Sequence, residues 1–156
     1  MAKETILLKN YSNVFIEVNA ASVITPGDLL ELTSANAVQR HTTAAGKHAW
    51  LFAVEDALQG RGINDNYAVA DKVKVWVAGR GDVVNARLMD EENIAIGDYL
   101  ESAGGGATST GKLKKFGSGV IVGVAIEAKD LSTFPEGSES SAGGVYFNPR
   151  VKVQLI

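Results

Sequence analysis

The sequence contains no cysteine among its 156 residues. Disulfide frameworks, thiolate zinc sites and cysteine nucleophiles are therefore excluded. Histidine occurs only at His41 and His48, so a histidine-rich metal centre is excluded as well. We expect the protein to need no cofactor and no metal.

Charge and long apolar runs are also scarce. Charged residues make up 21% of the chain and the formal net charge is -3, without the basic excess of a nucleic-acid-binding surface. No apolar run approaches the roughly 20 residues that a membrane span requires. The opening residues, MAKET, lack the charged and apolar regions of a signal peptide. We therefore expect a soluble protein, made in a reducing cytoplasm, that binds neither a membrane nor nucleic acid directly.

Glycine is abundant, with 17 residues, and proline is rare, with 3. Residues 72–77 and 151–155 alternate between polar and apolar side chains, which is typical of half-buried strands. Residues 120–126 are rich in β-branched side chains, which strands favour. Turn compositions separate such runs at the ~8–12-residue spacing of small β-barrels and sandwiches. The sequence predicts an all-β fold, a small barrel or sandwich with little helix.

The length suits one domain. Residues 1–23 contain two short apolar runs separated by a turn composition, and we predict an extended N-terminal arm or strand there. Residues 24–156 are predicted to form a single β domain, with the Ser- and Gly-rich residues 132–144 as an exposed loop. On this interpretation, deletion of residues 1–20 leaves the body folded. Whether the arm pairs with its own body or with a neighbour stays open.

The chain contains an internal similarity. Residues 24–31 (ITPGDLLE) recur as 94–101 (IAIGDYLE), with five of eight positions identical. Downstream, residues 52–58 (FAVEDAL) resemble 124–131 (VAIEAKDL), in the same order. We interpret the spans 24–58 and 94–131 as two copies of one β-meander that share a core. Chance is the alternative, because each match is short.

Turn residues are the best-defined positions in the similar segments. Pro26 fixes its φ angle and Gly27 accepts a positive φ, so a tight turn is expected before Asp28. The second segment places Gly97 and Asp98 in the same order. The two aspartates could pair across a cleft, as glycosidases require. We favour a structural role, because an aspartate after glycine commonly caps its own turn.

No residue pattern points to catalysis. His41 and His48 have no serine or aspartate at a recognisable spacing, although a hydrolase triad assembles in space and stays open. We predict a protein that is not an enzyme. Aromatic residues are instead candidates for contacts with partners, since such residues dominate interfaces. These candidates are Tyr11, Phe15, Trp76, Phe134 and Tyr146. Trp76 could equally be a core residue.

The turn and strand residues resemble one family. Gly27-Asp28, Gly97-Asp98 and the strand Gly123-Val124-Ala125 are similar to motifs in the capsid decoration, or cement, proteins of tailed bacteriophages. The resemblance covers roughly residues 20–131 and rests on short motifs. Neither the first 20 residues nor 132–144 match the pattern, and contacts specific to one virus are a possible use for them.

This resemblance implies a function without an active site. Decoration proteins of this kind commonly form trimers on the outer capsid surface, bridge subunits of the major capsid protein, and stabilise the shell against the pressure of packaged DNA. The implied partners are the major capsid protein and further copies of this chain. The implied location is the outer surface of the virion.

Two other functions stay open at the level of the sequence. A tail-tube or head–tail joining protein would share the β architecture and would form rings or polymers. A carbohydrate-binding β module is a weaker alternative, because it would need a groove with exposed aromatic residues.

Overall fold

The computed structural model describes residues 4–11, 13–133 and 148–156. Within these ranges it is almost entirely strands and turns, as the sequence predicts. The strands are β1 Leu7–Lys9, β2 Val14–Ala20, β3 Leu30–Leu32, β4 Ala37–Arg40, β5 Leu51–Ala53, β6 Lys72–Val77, β7 Val83–Arg87, β8 Asn93–Ile94, β9 Tyr99–Ser102, β10 Leu113–Lys115, β11 Ile121–Ala125, β12 Lys129–Asp130 and β13 Arg150–Leu155. A single turn of 3-10 helix, Ala57–Gln59, is the one helical element described.

The strands follow the alternation seen in the sequence. In β6, Val73 and Val75 are fully buried while Lys72, the first residue of the strand, is exposed. In β13, Val151 and Val153 are fully buried and the intervening Lys152 is exposed. Period-two burial of this kind places one row of side chains in the core and the other row outside.

The strands form two main sheets and a small ribbon. The six-stranded sheet has the order β1-β7-β13-β11-β9-β10 with every pair antiparallel. The five-stranded sheet has the order β3-β4-β2-β6-β5, and its β2–β4 pair is parallel. Strands β8 and β12 pair separately. Over the described residues none of these sheets closes into a barrel, so the fold is sandwich-like.

The core has two parts. The larger apolar cluster joins side chains of the five-stranded sheet, such as Phe52 and Trp76, to side chains of the six-stranded sheet, such as Leu100 and Val153. The smaller cluster lies within the five-stranded sheet and includes Val38 and Val75. The larger cluster therefore holds the two sheets together by burial of apolar surface.

The two similar segments have the same backbone hydrogen bonds. The Gly27 N–H donates to the Ala53 carbonyl at 2.8 Å, and the Gly97 N–H donates to the Ala125 carbonyl at 2.8 Å. Each glycine has a positive φ, +95° at Gly27 and +91° at Gly97. The turn thus meets the apolar strand in the same way in both segments.

The equivalence extends to the flanking strands. Glu17 pairs with Lys74 where β2 meets β6, and Asn85 pairs with Lys152 where β7 meets β13. We call the unit from β2 to β6 the first repeat and the unit from β7 to β13 the second repeat. Each structural repeat is longer than the similar segment in the sequence. The flanking strands are equivalent in how they pair, but their sequences are not similar.

The N-terminal segment contains two strands, β1 and β2, and it pairs within its own chain. Strand β1 lies at the edge of the six-stranded sheet beside β7. Strand β2 lies inside the five-stranded sheet, between β4 and β6. Ile6 is fully buried in the larger cluster. Residues 4–11 and 13–23 are thus integral to both sheets.

Candidate functional site

The predicted interface aromatics occupy different environments. Tyr11 is 67% exposed, and its N–H donates to Asp82 Oδ1 at 2.8 Å. Phe15 is half-buried opposite Trp76, with the Lys74 ammonium 4.8 Å from its ring centroid. Trp76 is fully buried, so the structure places it in the core instead of at a surface. The face of β6 that carries Trp76 is covered because the six-stranded sheet packs over it.

Two further interface candidates, Phe134 and Tyr146, lie outside the described residues. The structure therefore brings Phe15 and Trp76 together and leaves Tyr11 at the surface.

Both aspartates cap their own turns. The Thr25 N–H donates to Asp28 Oδ2 at 2.8 Å, and the Ala95 N–H donates to Asp98 Oδ2 at 2.9 Å. Asp98 also lies 2.8 Å from the Lys115 ammonium, which lowers the pKa of this carboxyl. These contacts fix the turns and do not bring the aspartates together as a catalytic pair.

Asp28, unlike Asp98, is fully buried and bridges two arginines. Its Oδ2 lies 2.8 Å from Arg40 Nε and its Oδ1 lies 2.8 Å from Arg87 Nη1. Arg40 belongs to the first repeat and Arg87 to the second, so this carboxylate links the two repeats. A buried charge needs such partners, because burial removes its hydration.

Arg150 completes the buried cluster. Its Nη2 donates to the Pro26 carbonyl at 2.9 Å, and its Nη1 donates to the Asn148 carbonyl and to Asn64 Oδ1, both at 3.0 Å. Burial, together with the nearby Arg87, lowers the pKa of Arg150 to about 10. The alternation of β13 places Arg150 on the same face as the exposed Lys152, so this pattern does not predict the burial of Arg150.

The two turn glycines offer a matched test of this contact. A Cβ at Gly27 would lie 3.1 Å from the Asn85 carbonyl and from Arg150 Nε, whereas a Cβ at Gly97 would have no atom within 4 Å. We expect Gly97→Ala to cost about 1–2 kcal/mol from its positive φ alone. Gly27→Ala should cost a further ~1–3 kcal/mol, because the backbone of the second repeat must move. Urea unfolding of both variants measures the difference, and equal losses would contradict the packing argument.

His41 forms a cluster that resembles a hydrolytic triad. Its Nδ1 lies 2.7 Å from Ser102 Oγ, and its Nε2 lies 2.9 Å from the Lys47 carbonyl and 3.9 Å from Glu31 Oε2. The carbonyl can only accept, so Nε2 carries a hydrogen, and in the neutral imidazole Nδ1 then accepts from the Ser102 hydroxyl. His41 is 2% exposed and Ser102 is 0% exposed, so a substrate cannot reach this hydroxyl without a rearrangement. The cluster instead anchors the loop between β4 and β5 against β9.

The second histidine borders a surface cavity. A cavity of about 250 Å³ is lined by side chains of both histidines and their neighbours: Glu31, Leu32, His41, Lys47, His48, Ala49 and Leu51. Burial lowers the pKa of His48. In the described part of the chain, no three His, Cys, Asp or Glu side chains are placed to hold a metal ion. No helix there is long and apolar enough to cross a membrane.

An exposed apolar surface lies on the second repeat, at residues that the sequence analysis did not propose as contacts with a partner. The Phe116 N–H donates to the Tyr99 carbonyl at 2.8 Å, and Tyr99 pairs with Val124 across two strands. Ile96 is 71% exposed and Tyr99 is 50% exposed. We call this surface the second turn face, formed by Ile96, Tyr99, Phe116, Val124 and Ile126. Aromatic and apolar side chains exposed together are typical of contact surfaces.

Neither the scan against protein-family models nor the search of the curated proteins found a match. Among solved structures, the fold is similar to the crystal structure of the N base of head fiber gp8.5 in bacteriophage phi29. The TM-score is 0.56 at 12% sequence identity, and the match covers 92% of this chain and 93% of that chain. This likeness shows a shared fold over almost the whole of both chains.

Proposed function

We propose that this protein is a non-enzymatic structural component of a phage virion that binds the outer surface of the capsid as an oligomer and stabilises the shell. The observation that carries the proposal is the fold likeness to the base of a phage head fiber over 92% of this chain. The short motifs that resemble decoration proteins support the same class of protein independently, because they are features of the sequence and not of the fold.

The geometry of the chain supports a structural role. The repeats are joined by a buried ion cluster and by one apolar cluster, which suits a rigid body under mechanical load. The Ser102 hydroxyl beside His41 is enclosed, which favours an anchoring role over hydrolysis. The exposed Tyr11 and the second turn face are surfaces that could meet the major capsid protein or another copy.

The proposed mechanism is cross-bridging. Each copy would contact neighbouring subunits of the major capsid protein, and a trimer would make three such contacts at once. Individually weak contacts gain avidity when they are linked, since the second contact forms at high effective concentration. The bound oligomer would then oppose outward displacement of the subunits that it joins.

Capsid binding can be tested by co-sedimentation. Capsids of the encoding phage, purified from a virus that lacks this gene, are mixed with the protein at increasing concentration. We expect saturable binding at a fixed ratio to the major capsid protein and an increase in the temperature at which the shells release DNA. Heat-denatured protein serves as the control.

Two results would overturn the proposal. One is an absence of capsid binding by folded protein. The other is assembly of the free protein into long tubes that associate with tails, which would favour a tail-tube protein. Light scattering before the binding step distinguishes a small oligomer, near 49 kDa for three chains of 16.4 kDa, from such polymers.

A further inference from the structure

The contact between the two repeats is asymmetric. In the first repeat, the residues equivalent to the second turn face are all buried: Pro26, Leu29, His41, Phe52 and Val54. We call this set the first turn face. The equivalence rests on shared pairing, since Leu29 bridges Phe52 as Tyr99 pairs with Val124. The same surface is therefore covered in one repeat and exposed in the other.

Groups from the second repeat cover the first turn face. The Arg87 N–H donates to the Gly27 carbonyl at 3.1 Å, and Arg150 Nη2 donates to the Pro26 carbonyl at 2.9 Å. The Leu29 N–H donates to the Gly111 carbonyl at 2.8 Å. We call Arg87, Gly111 and Arg150 the second docking edge, and all three residues are buried.

The first repeat has an equivalent edge. Lys72 pairs with Asn19 in the first repeat as Arg150 pairs with Arg87 in the second. Lys72 therefore corresponds to Arg150, and Asn19 corresponds to Arg87. Asn36 corresponds to Gly111, because both have a positive φ, 56° and 75°, at the same place in the loops that lead into β4 and β10. Asn19, Asn36 and Lys72 are all exposed, and we call them the first docking edge.

The chain thus uses one turn face and one docking edge internally and leaves one of each at its surface. A contact between two different surfaces can continue from copy to copy, and it generates a closed ring or a filament. We infer that the first docking edge of one copy binds the second turn face of another copy, in the arrangement by which the two repeats of a single chain already bind each other.

Charge and space agree with this pairing. Within the chain, Arg150 lies over the turn of Asp28, which Arg40 also holds. Between copies, Lys72 would approach the turn of Asp98, which Lys115 holds in the same way. A Cβ at Gly97 would have no neighbouring atom within 4 Å, so the second turn is open to an approaching chain.

The inference names the surfaces through which copies of the chain would associate in the proposed function. Only the biological purpose of this contact rests on the proposed function. Its test needs no capsids. Protein that assembles head to tail and fails to bind capsids would refute the proposed function alone. Protein that binds capsids without this contact would refute the inference alone.

Cross-linking tests the contact directly, because the chain contains no cysteine. Two single variants, Asn19→Cys and Ile96→Cys, are mixed in equal amounts and treated with a short bis-maleimide. We expect a covalent dimer in the mixture, at least several-fold more abundant than with either variant alone. The matched control replaces Asn19→Cys with Leu58→Cys, a residue that is 92% exposed in the same repeat and is not part of the docking edge.

Two outcomes would overturn the inference. One is cross-linking of the Leu58→Cys control as efficient as that of Asn19→Cys. The other is a wild-type chain that light scattering shows to be monomeric at its highest soluble concentration.

A second variant keeps the test independent of labelling. Ile96→Asp places a charge on the second turn face at an exposed position, so the fold should persist by circular dichroism. We expect its mass to fall to that of one chain, 16.4 kDa, while Leu58→Asp keeps the wild-type mass. An Ile96→Asp protein that retains the wild-type mass contradicts the inference.

Discussion

Replacement of Asp28 by asparagine is expected to destabilise the protein by about 3–5 kcal/mol, the usual loss when one partner of a buried ion pair is removed. Asparagine keeps the size of the side chain and an oxygen that can accept from the Thr25 N–H. It removes the negative charge between Arg40 and Arg87, each 2.8 Å away. The loss therefore reports the charge and not the turn.

The internal repeat supplies the control for this variant. Asp98→Asn makes the same change in the same turn, at a position where solvent already screens the Lys115 ion pair. We expect only a small shift in its unfolding midpoint. Urea denaturation of both variants at neutral pH measures the two losses. Equal losses would mean that the arginine cluster does not depend on Asp28 for its stability.

The different burial of Asp28 and Asp98 could not be predicted from the sequence. Both follow a glycine in segments that share five of eight positions, so local sequence predicts the same turn for each, and both turns form. Burial of Asp28 comes from Arg87, which lies 59 residues away. A contact of that kind depends on how two sheets pack, and no local pattern records it.

Burial along the strands, in contrast, could be predicted, because alternation is a local pattern in the sequence. In β6 and β13 the apolar residues recur at every second position, and these are the residues that the core buries. The same rule fails for Trp76, which lies on the polar face of β6 with Lys74 and is nevertheless fully buried. Alternation predicts two faces, and it assumes that only one of them meets another layer. In the first repeat the face with Trp76 is covered by the six-stranded sheet, while Val73 and Val75 on the other face are buried in the smaller cluster.

The second turn face was missed because its pattern in the sequence is ordinary. Tyr99 and Phe116 are 17 positions apart and become neighbours only through the pairing of β9 and β10. The available signal was the repeat itself. Tyr99 stands at the position of Leu29, and Phe116 at the position of His41. The second repeat therefore carries larger apolar or aromatic residues at the positions that lie at its surface.

Deletion of residues 1–20 is expected to abolish cooperative folding, which is the opposite of what an independent arm would give. The deletion removes β1 and the whole of β2, and β2 is the strand between β4 and β6. Without it the five-stranded sheet is reduced to the two-stranded pairs β3–β4 and β5–β6, joined by the single bridge between Leu29 and Phe52. Two-stranded hairpins are marginally stable at best. A typical domain is stable by only about 5–15 kcal/mol, so this loss exceeds what the remaining chain can supply. Thermal unfolding followed by circular dichroism should show no cooperative transition.

Point variants on the N-terminal segment separate this effect from a general intolerance of change. Ile6→Ala should cost about 2–5 kcal/mol, because Ile6 is fully buried in the cluster that joins the two sheets. Leu8→Ala, two residues further along and 38% exposed, should cost less than about 1 kcal/mol. If the truncated chain instead unfolds with a sharp transition near that of the full chain, then β2 is dispensable and the segment is an arm. The ratio of the two alanine effects then decides whether β1 still contributes to the core.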